Sequence, residues 1–153
     1  MKVRLVLVSL GLLAASCGSS AASGASTSPS SASVNVVAQV PKSVKGQQET
    51  VLTNAAGMTL YYLTSDTPTK VACQGQCATI WPPLLLPAGE PSSGSSLPGK
   101  LTLLTDPNGV QVLYNGHPLY AFAKDKTTSD VHGEGINAFG GTWHAATPDL
   151  AAA

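Results

Sequence analysis

Apolar and polar positions along the chain alternate over short runs between turn-forming residues, and no segment sustains a helical period. Glu49 to Asn54 alternates around Val51 and Leu52, Asn54-Ala55-Ala56-Gly57 forms a turn signal, and Met58 to Thr64 is rich in aromatic and β-favouring residues. Together they predict a hairpin. Leu101 to Thr105 and Val110 to Tyr114 predict strands flanking the turn Asp106-Pro107-Asn108-Gly109. Asn115-Gly116 supplies the pair that a type I′ turn demands, because both central residues need positive φ. Leu119 to Ala123 is expected to return as the partner strand, with a last strand around Thr142 to Ala145 after the glycines 133, 135, 140 and 141. Proline donates no ladder hydrogen bond, which keeps Trp81-Pro82-Pro83 out of a central strand. Pro87 to Gly99 reads as a surface loop. The expected fold class is all-β and mostly antiparallel.

Two stretches repeat. Gly57 to Asp66 and Gly116 to Asp125 both read Gly-x-x-Leu-Tyr-x-(apolar)-x-x-Asp, and each precedes a Gly-bearing loop and a lone tryptophan, Trp81 or Trp143. Two pseudo-repeats sharing one core are therefore expected within a domain spanning 46–149, repeat 1 about 48–87 and repeat 2 about 101–149, each too small to be stable alone. Leu104 to Val110 also echoes Leu52 to Met58, an alignment that implies an extra strand in the second copy.

With Tyr61, Asp66, Tyr120, Phe122 and Asp125 so placed, the pattern resembles a family of bacterial secreted lipoproteins built from tandem Tyr-x-(Phe/Trp/Tyr)-x-x-Asp motifs and described as secreted repeats of unknown function. The second copy fits fully, whereas Leu63 stands in the first copy where the motif has an aromatic residue. The resemblance also takes in Cys73 to Ala78 and Trp81 to Leu84. It implies a fold and a location, and brings no reaction, substrate or catalytic residue.

Lys2 and Arg4 precede an apolar run from Leu5 to Ala15. The run falls short of the ~20 residues a membrane span needs and reads as a secretory segment. Its end, Leu13-Ala14-Ala15-Ser16-Cys17, resembles a bacterial lipoprotein signal, which implies a signal peptide of residues 1–16 and lipid on Cys17. The protein would then sit outside the cytoplasm, held to the bacterial cell membrane; an ordinary secretory signal cleaved nearby is the alternative. Beyond Cys17 the chain is dominated by Ser, Ala, Gly and Thr and buries too little apolar surface to order, so 17–40 is assigned to the lipidated cysteine and a disordered tether. With Cys17 allotted to lipid, Cys73 and Cys77 are an even pair in an exported domain, which predicts a disulfide. Three intervening residues permit the ~4.4 to 6.8 Å Cα separation it requires.

Formal charge is zero, charged residues are 10% of the chain and no basic run occurs, which argues against a nucleic-acid partner. Candidate chemistry is sparse. Tyr and Asp of each motif lie five residues apart and would face opposite sides of an unbroken strand, so the carboxylate must sit beyond the strand's end. One reading buries the tyrosine and uses the aspartate in a turn; the other makes Asp66 and Asp125 an acid and base around a cleft. His117, His132 and His144, with Met58, are candidate metal donors, but none has a ligand spacing, so only the fold could assemble such a site. The cysteine spacing matches neither a redox Cys-x-x-Cys nor a haem attachment. The expectation is a non-enzymatic envelope module with no cofactor, whose partners are the membrane, through its lipid, and an unidentified envelope protein or small ligand. A metal or cofactor carrier is the alternative, and an acid–base enzyme a remote third.

Overall fold

The computed structural model describes residues 32–153. The signal segment, Cys17 and the tether up to Ser31 lie outside the described residues.

Each copy begins with a β-hairpin. Strands β1 (Ser33–Val44) and β2 (Gln47–Asn54) pair antiparallel from Val37 with Asn54 to Val44 with Gln47. Lys45 and Gly46 turn between them at φ 49° and 85°, the positive values that a two-residue hairpin turn takes. Strands β3 (Tyr61–Leu63), β4 (Glu90–Ser93), β5 (Leu101–Asp106) and β6 (Gly109–Tyr114) come next in the chain, and β5 with β6 forms the second hairpin. Strand β1 corrects the tether boundary, because residues 33–40 are strand. Val34, Val36, Val37 and Val40 supply the β-branched side chains that favour a pleated surface, and Val37 is buried. The same strand removes the expected extra strand of the second copy: β5 has its counterpart in β1.

After each hairpin the chain turns into its motif. In the first copy Asn54 Oδ1 accepts the Ala56 and Met58 N–H groups, both at 3.0 Å. In the second, Asn115 and Gly116 adopt φ 48° and 87°, as a type I′ turn requires. Strand β7 (His117–Pro118) is much shorter than the return strand expected from Leu119 to Ala123. Beyond Leu119 the chain leaves β6 and bonds instead to the first copy. Strands β8 (Asn137–Ala138) and β9 (Gly141–Ala145) complete the fold.

Three sheets result, ordered β2-β1-β4, β5-β6-β7 and β3-β9-β8. All pairings are antiparallel except β1 with β4, which lies inside the stretch read as a loop. Pro91 is tolerated there because β4 is an edge strand. One short helix, α1 (Gln76–Ile80), was not foreseen, since five residues are too few to show a helical period.

The core has two compartments, and the motif segments run between them. Val51, Tyr61, Tyr120 and Phe122 face one, with Trp81 and Trp143; Leu52, Leu60 and Leu119 face the other, with Val37, Val112 and Tyr114. Neighbouring residues such as Leu60 and Tyr61 point to opposite sides, as strand geometry dictates. Apolar side chains are therefore needed at successive positions, which explains why the motif segments read as unbroken apolar runs.

Candidate functional site

The two motif segments meet at their tyrosines. Tyr61 N–H donates to the Tyr120 carbonyl at 2.8 Å and Tyr120 N–H to the Tyr61 carbonyl at 2.9 Å. Each chain then turns where its aspartate begins, with Asp66 N–H donating to Leu63 and Asp125 N–H to Phe122, both at 3.0 Å. The side chains are exchanged across this crossing. The Tyr61 hydroxyl donates to Asp125 Oδ2 at 2.7 Å, and the Tyr120 hydroxyl donates to Asp66 Oδ2 at 2.6 Å. Every motif tyrosine thus bonds the aspartate of the other copy.

The second oxygen of each carboxylate holds its own loop. Asp66 Oδ1 accepts the Ala72 N–H at 2.7 Å, and Asp125 Oδ1 accepts the His132 N–H at 3.0 Å. Burial pushes the Asp66 carboxyl above its ordinary range, although the bonds from Tyr120 and Ala72 oppose the shift. Tyr61 and Tyr120 are both pushed well above the usual phenol range, chiefly by burial and then by the carboxylate each one faces.

The tryptophan segments are exchanged as well. Residues following the first motif pair with the second, through Ala123 N–H to Ile80, Ala121 N–H to Pro82 and Leu84 N–H to Leu119. Strand β9 of the second copy pairs with β3 of the first, setting Leu63 opposite Trp143. Trp81 and Trp143 consequently stack at the centre, ring centroids 3.8 Å apart and 3° from parallel. Tyr61 meets Trp81 edge-on and Tyr120 meets Trp143 edge-on, at 5.5 and 5.1 Å. Phe122 extends the stack on the Trp81 side at 4.1 Å.

Two stretches of the chain, 42–85 and 102–147, match the profile of a family described as "Secreted repeat of unknown function". The chain belongs to this family. No curated protein and no solved structure matches it. Membership makes it a secreted, extracellular protein and assigns no activity. The first matched stretch begins inside β1, whereas the second takes in almost all of β5.

Within this family repeat, the sequence-derived candidates fall into three places. Cys73 and Cys77 form a disulfide with Cα atoms 5.2 Å apart, closing the loop that carries α1 between Asp66 and Trp81. His132 lies beside Asp125, its Nδ1 3.2 Å from Oδ1. His117 and His144 flank the Tyr62 ring, at centroid distances of 4.8 and 5.8 Å, with His144 Nδ1 3.0 Å from Glu134 Oε1. Met58 is half-buried in the turn held by Asn54, with its carbonyl bonded to the Asn54 N–H.

Among the described residues, one group brings three ligand-type atoms within 4.8 Å of one another: Asp125, Asp130 and His132. Its oxygens are already engaged. The Asp130 carboxylate accepts the Lys126 and Thr127 N–H groups and the Thr127 hydroxyl at 2.7 to 2.8 Å, which holds its pKa down at about 2. The nearby Lys42 ammonium is buried, bonded to Thr59 Oγ1 at 2.8 Å and to the Gly57 carbonyl at 3.0 Å. Burial lowers its pKa, while Asp125 and Asp130 oppose the shift. Sequence reasoning missed Lys42, Thr59 and Asp130, because nothing in their spacing joins residues so far apart in the chain.

Proposed function

We propose that this protein is a lipid-anchored module of the bacterial cell envelope that acts by binding, not by turnover. The observation that carries the reading is the exchanged pair of buried Tyr–Asp bonds. Both motif carboxylates have one oxygen on a tyrosine of the other copy and one on a backbone N–H. An acid–base pair needs its carboxylates free to meet a substrate. Here they join the two halves of the scaffold and leave the surface to carry the function. The apolar run from Leu5 to Ala15 supports the anchor, since the small residues at its end and Ser16 lead directly to Cys17 in an exported chain.

Two experiments test this. Cys17→Ser is expected to release the protein from the membrane fraction into the medium; a variant that stays bound, together with a wild type carrying no lipid, overturns the anchor. Asp66→Asn is expected to lower stability and leave ligand capture intact in the folded fraction. An activity found in cell extract that disappears from fully folded Asp66→Asn would overturn the binding reading in favour of catalysis. Native mass spectrometry of the intact secreted protein tests the carrier alternative, which requires a stoichiometric metal or cofactor adduct lost on His132→Ala.

A further inference from the structure

Phe139 is a bulky residue in the left-handed region, at φ 56°, and the residue is 41% exposed. It sits with Gly140 in the tight turn between β8 and β9, where Asn or Gly would adopt the same backbone without strain. A backbone cost borne by an exposed aromatic ring calls for a reason outside folding.

The ring forms one wall of an apolar groove of about 290 Å³ lined by Ile80, Trp81, Phe122 and Ile136. No acidic side chain lines it, and Lys124 stands at its rim. In the segment Lys124-Asp125-Lys126 the carboxylate turns inward to Tyr61 and both lysines stay exposed. Lys126 is not itself a lining residue; its ammonium donates to the carbonyl of Ala123, which is one, at 2.6 Å. Asp130, further along that loop, caps the Lys126 and Thr127 amides.

The central aromatic stack continues through Phe122 toward this surface, whereas on the other side Leu63 takes the equivalent motif position and packs against Gly141. We propose that this groove is a binding site for a small amphiphilic anion, an aromatic body of one or two rings carrying a carboxylate. The volume lies at the low end for ligand sites, which suits a body of that size. Phe139, with Ile80 and Ile136, covers its rings over a floor of Trp81 and Phe122, and Lys124, with Lys126 nearby, meets its charge. The site deepens the binding reading and rests on it.

The test uses 2-naphthoate as the probe against the intact secreted protein, with 2-naphthalenemethanol as the uncharged control. Backbone amide shifts in NMR are expected to concentrate at Ile80, Phe122 to Lys124 and Ile136 to Phe139, with the acid binding more tightly than the alcohol. Phe139→Gly is expected to weaken binding about tenfold, because a large apolar wall is lost, while the melting temperature stays level or rises as the strain is relieved. Lys124→Ala with Lys126→Ala is expected to erase the preference for the acid. No saturable shifts, equal binding of acid and alcohol, undiminished binding by Phe139→Gly, or concentration-dependent self-association through these residues would each overturn the proposal. Saturable binding at another surface would sink the groove and leave the binding reading standing.

Discussion

The two copies make the same bonds with different reinforcement. In the first, the loop after Asp66 is closed by the Cys73–Cys77 disulfide. In the second, the loop after Asp125 is held by the His132 N–H on Asp125, with the imidazole alongside, and by Asp130 capping the Lys126 and Thr127 amides. Covalent and polar fastenings therefore serve one purpose, keeping an aspartate where the other copy's tyrosine can reach it. The difference teaches that the Tyr–Asp exchange is the common element and the loops are free to vary around it.

Exchange makes each copy incomplete alone, and separating them should give the largest effect. Fragments 32–95 and 96–153 are each expected to lack cooperative unfolding, since both lose a tryptophan segment and a carboxylate to the missing partner. Mixed in equal amounts they should recover near-ultraviolet circular dichroism from the Trp81–Trp143 stack. A folded single fragment would break the comparison outright. Replacing either ring of the stack comes next: Trp81→Ala or Trp143→Ala should cost about 3 to 5 kcal/mol in urea unfolding, as large buried aromatics do.

The sequence carried the repeat, the turns at 54–57, 106–109 and 115–116, the disulfide and the all-β class, because each is written in short local stretches; the Lys45-Gly46 turn was missed, since β2 was expected to pair forward with the motif segment and pairs back with β1 instead. Asn115-Gly116 is legible since its φ values belong to the pair itself. The exchange was not legible: Tyr61 and Asp125 are joined by a crossing of strands, and alternation places a tyrosine and its own aspartate on opposite sides without saying whose aspartate arrives. Strand β1 was hidden for a different reason. It runs on directly from a Ser- and Ala-rich stretch, and its valines alternate with small polar residues that composition alone assigns to a tether.

The disulfide and the tyrosines sharpen the contrast between the copies. Cys73→Ser with Cys77→Ser should cost about 2 kcal/mol, the chain-entropy value for so short a loop. Tyr120→Phe leaves the Asp66 carboxylate buried with one bond fewer, and Tyr61→Phe does the same to Asp125; each should cost about 1 to 3 kcal/mol. The Tyr120 change is expected to be the larger, because Asp125 keeps the His132 ring at 3.2 Å. Equal losses in the two variants would show that the imidazole adds nothing. At alkaline pH both tyrosines act together: their folded pKa values lie above 10.0, so stability present below pH 10 declines as the unfolded phenols ionise. Absorbance at 295 nm should then show tyrosinate from these two residues appearing with unfolding and not before it.

The smallest effect separates the copies by the sign of their acid response. Asp66 has a folded pKa above 3.8, so the native state binds its proton more tightly than the unfolded chain does. Its contribution to stability is complete below pH 3.8 and is lost as pH rises through the raised folded value. Asp130 behaves the opposite way, because capping holds its folded pKa at about 2. Its contribution is present above pH 3.8 and is lost as pH falls toward 2. Urea midpoints measured against pH should therefore show Asp66→Asn flattening the limb above 3.8 and Asp130→Asn flattening the limb below it. If both substitutions flattened the same limb, the two loops would share one electrostatic environment, and the contrast between a buried, exchanged carboxylate and a solvent-facing cap would fail.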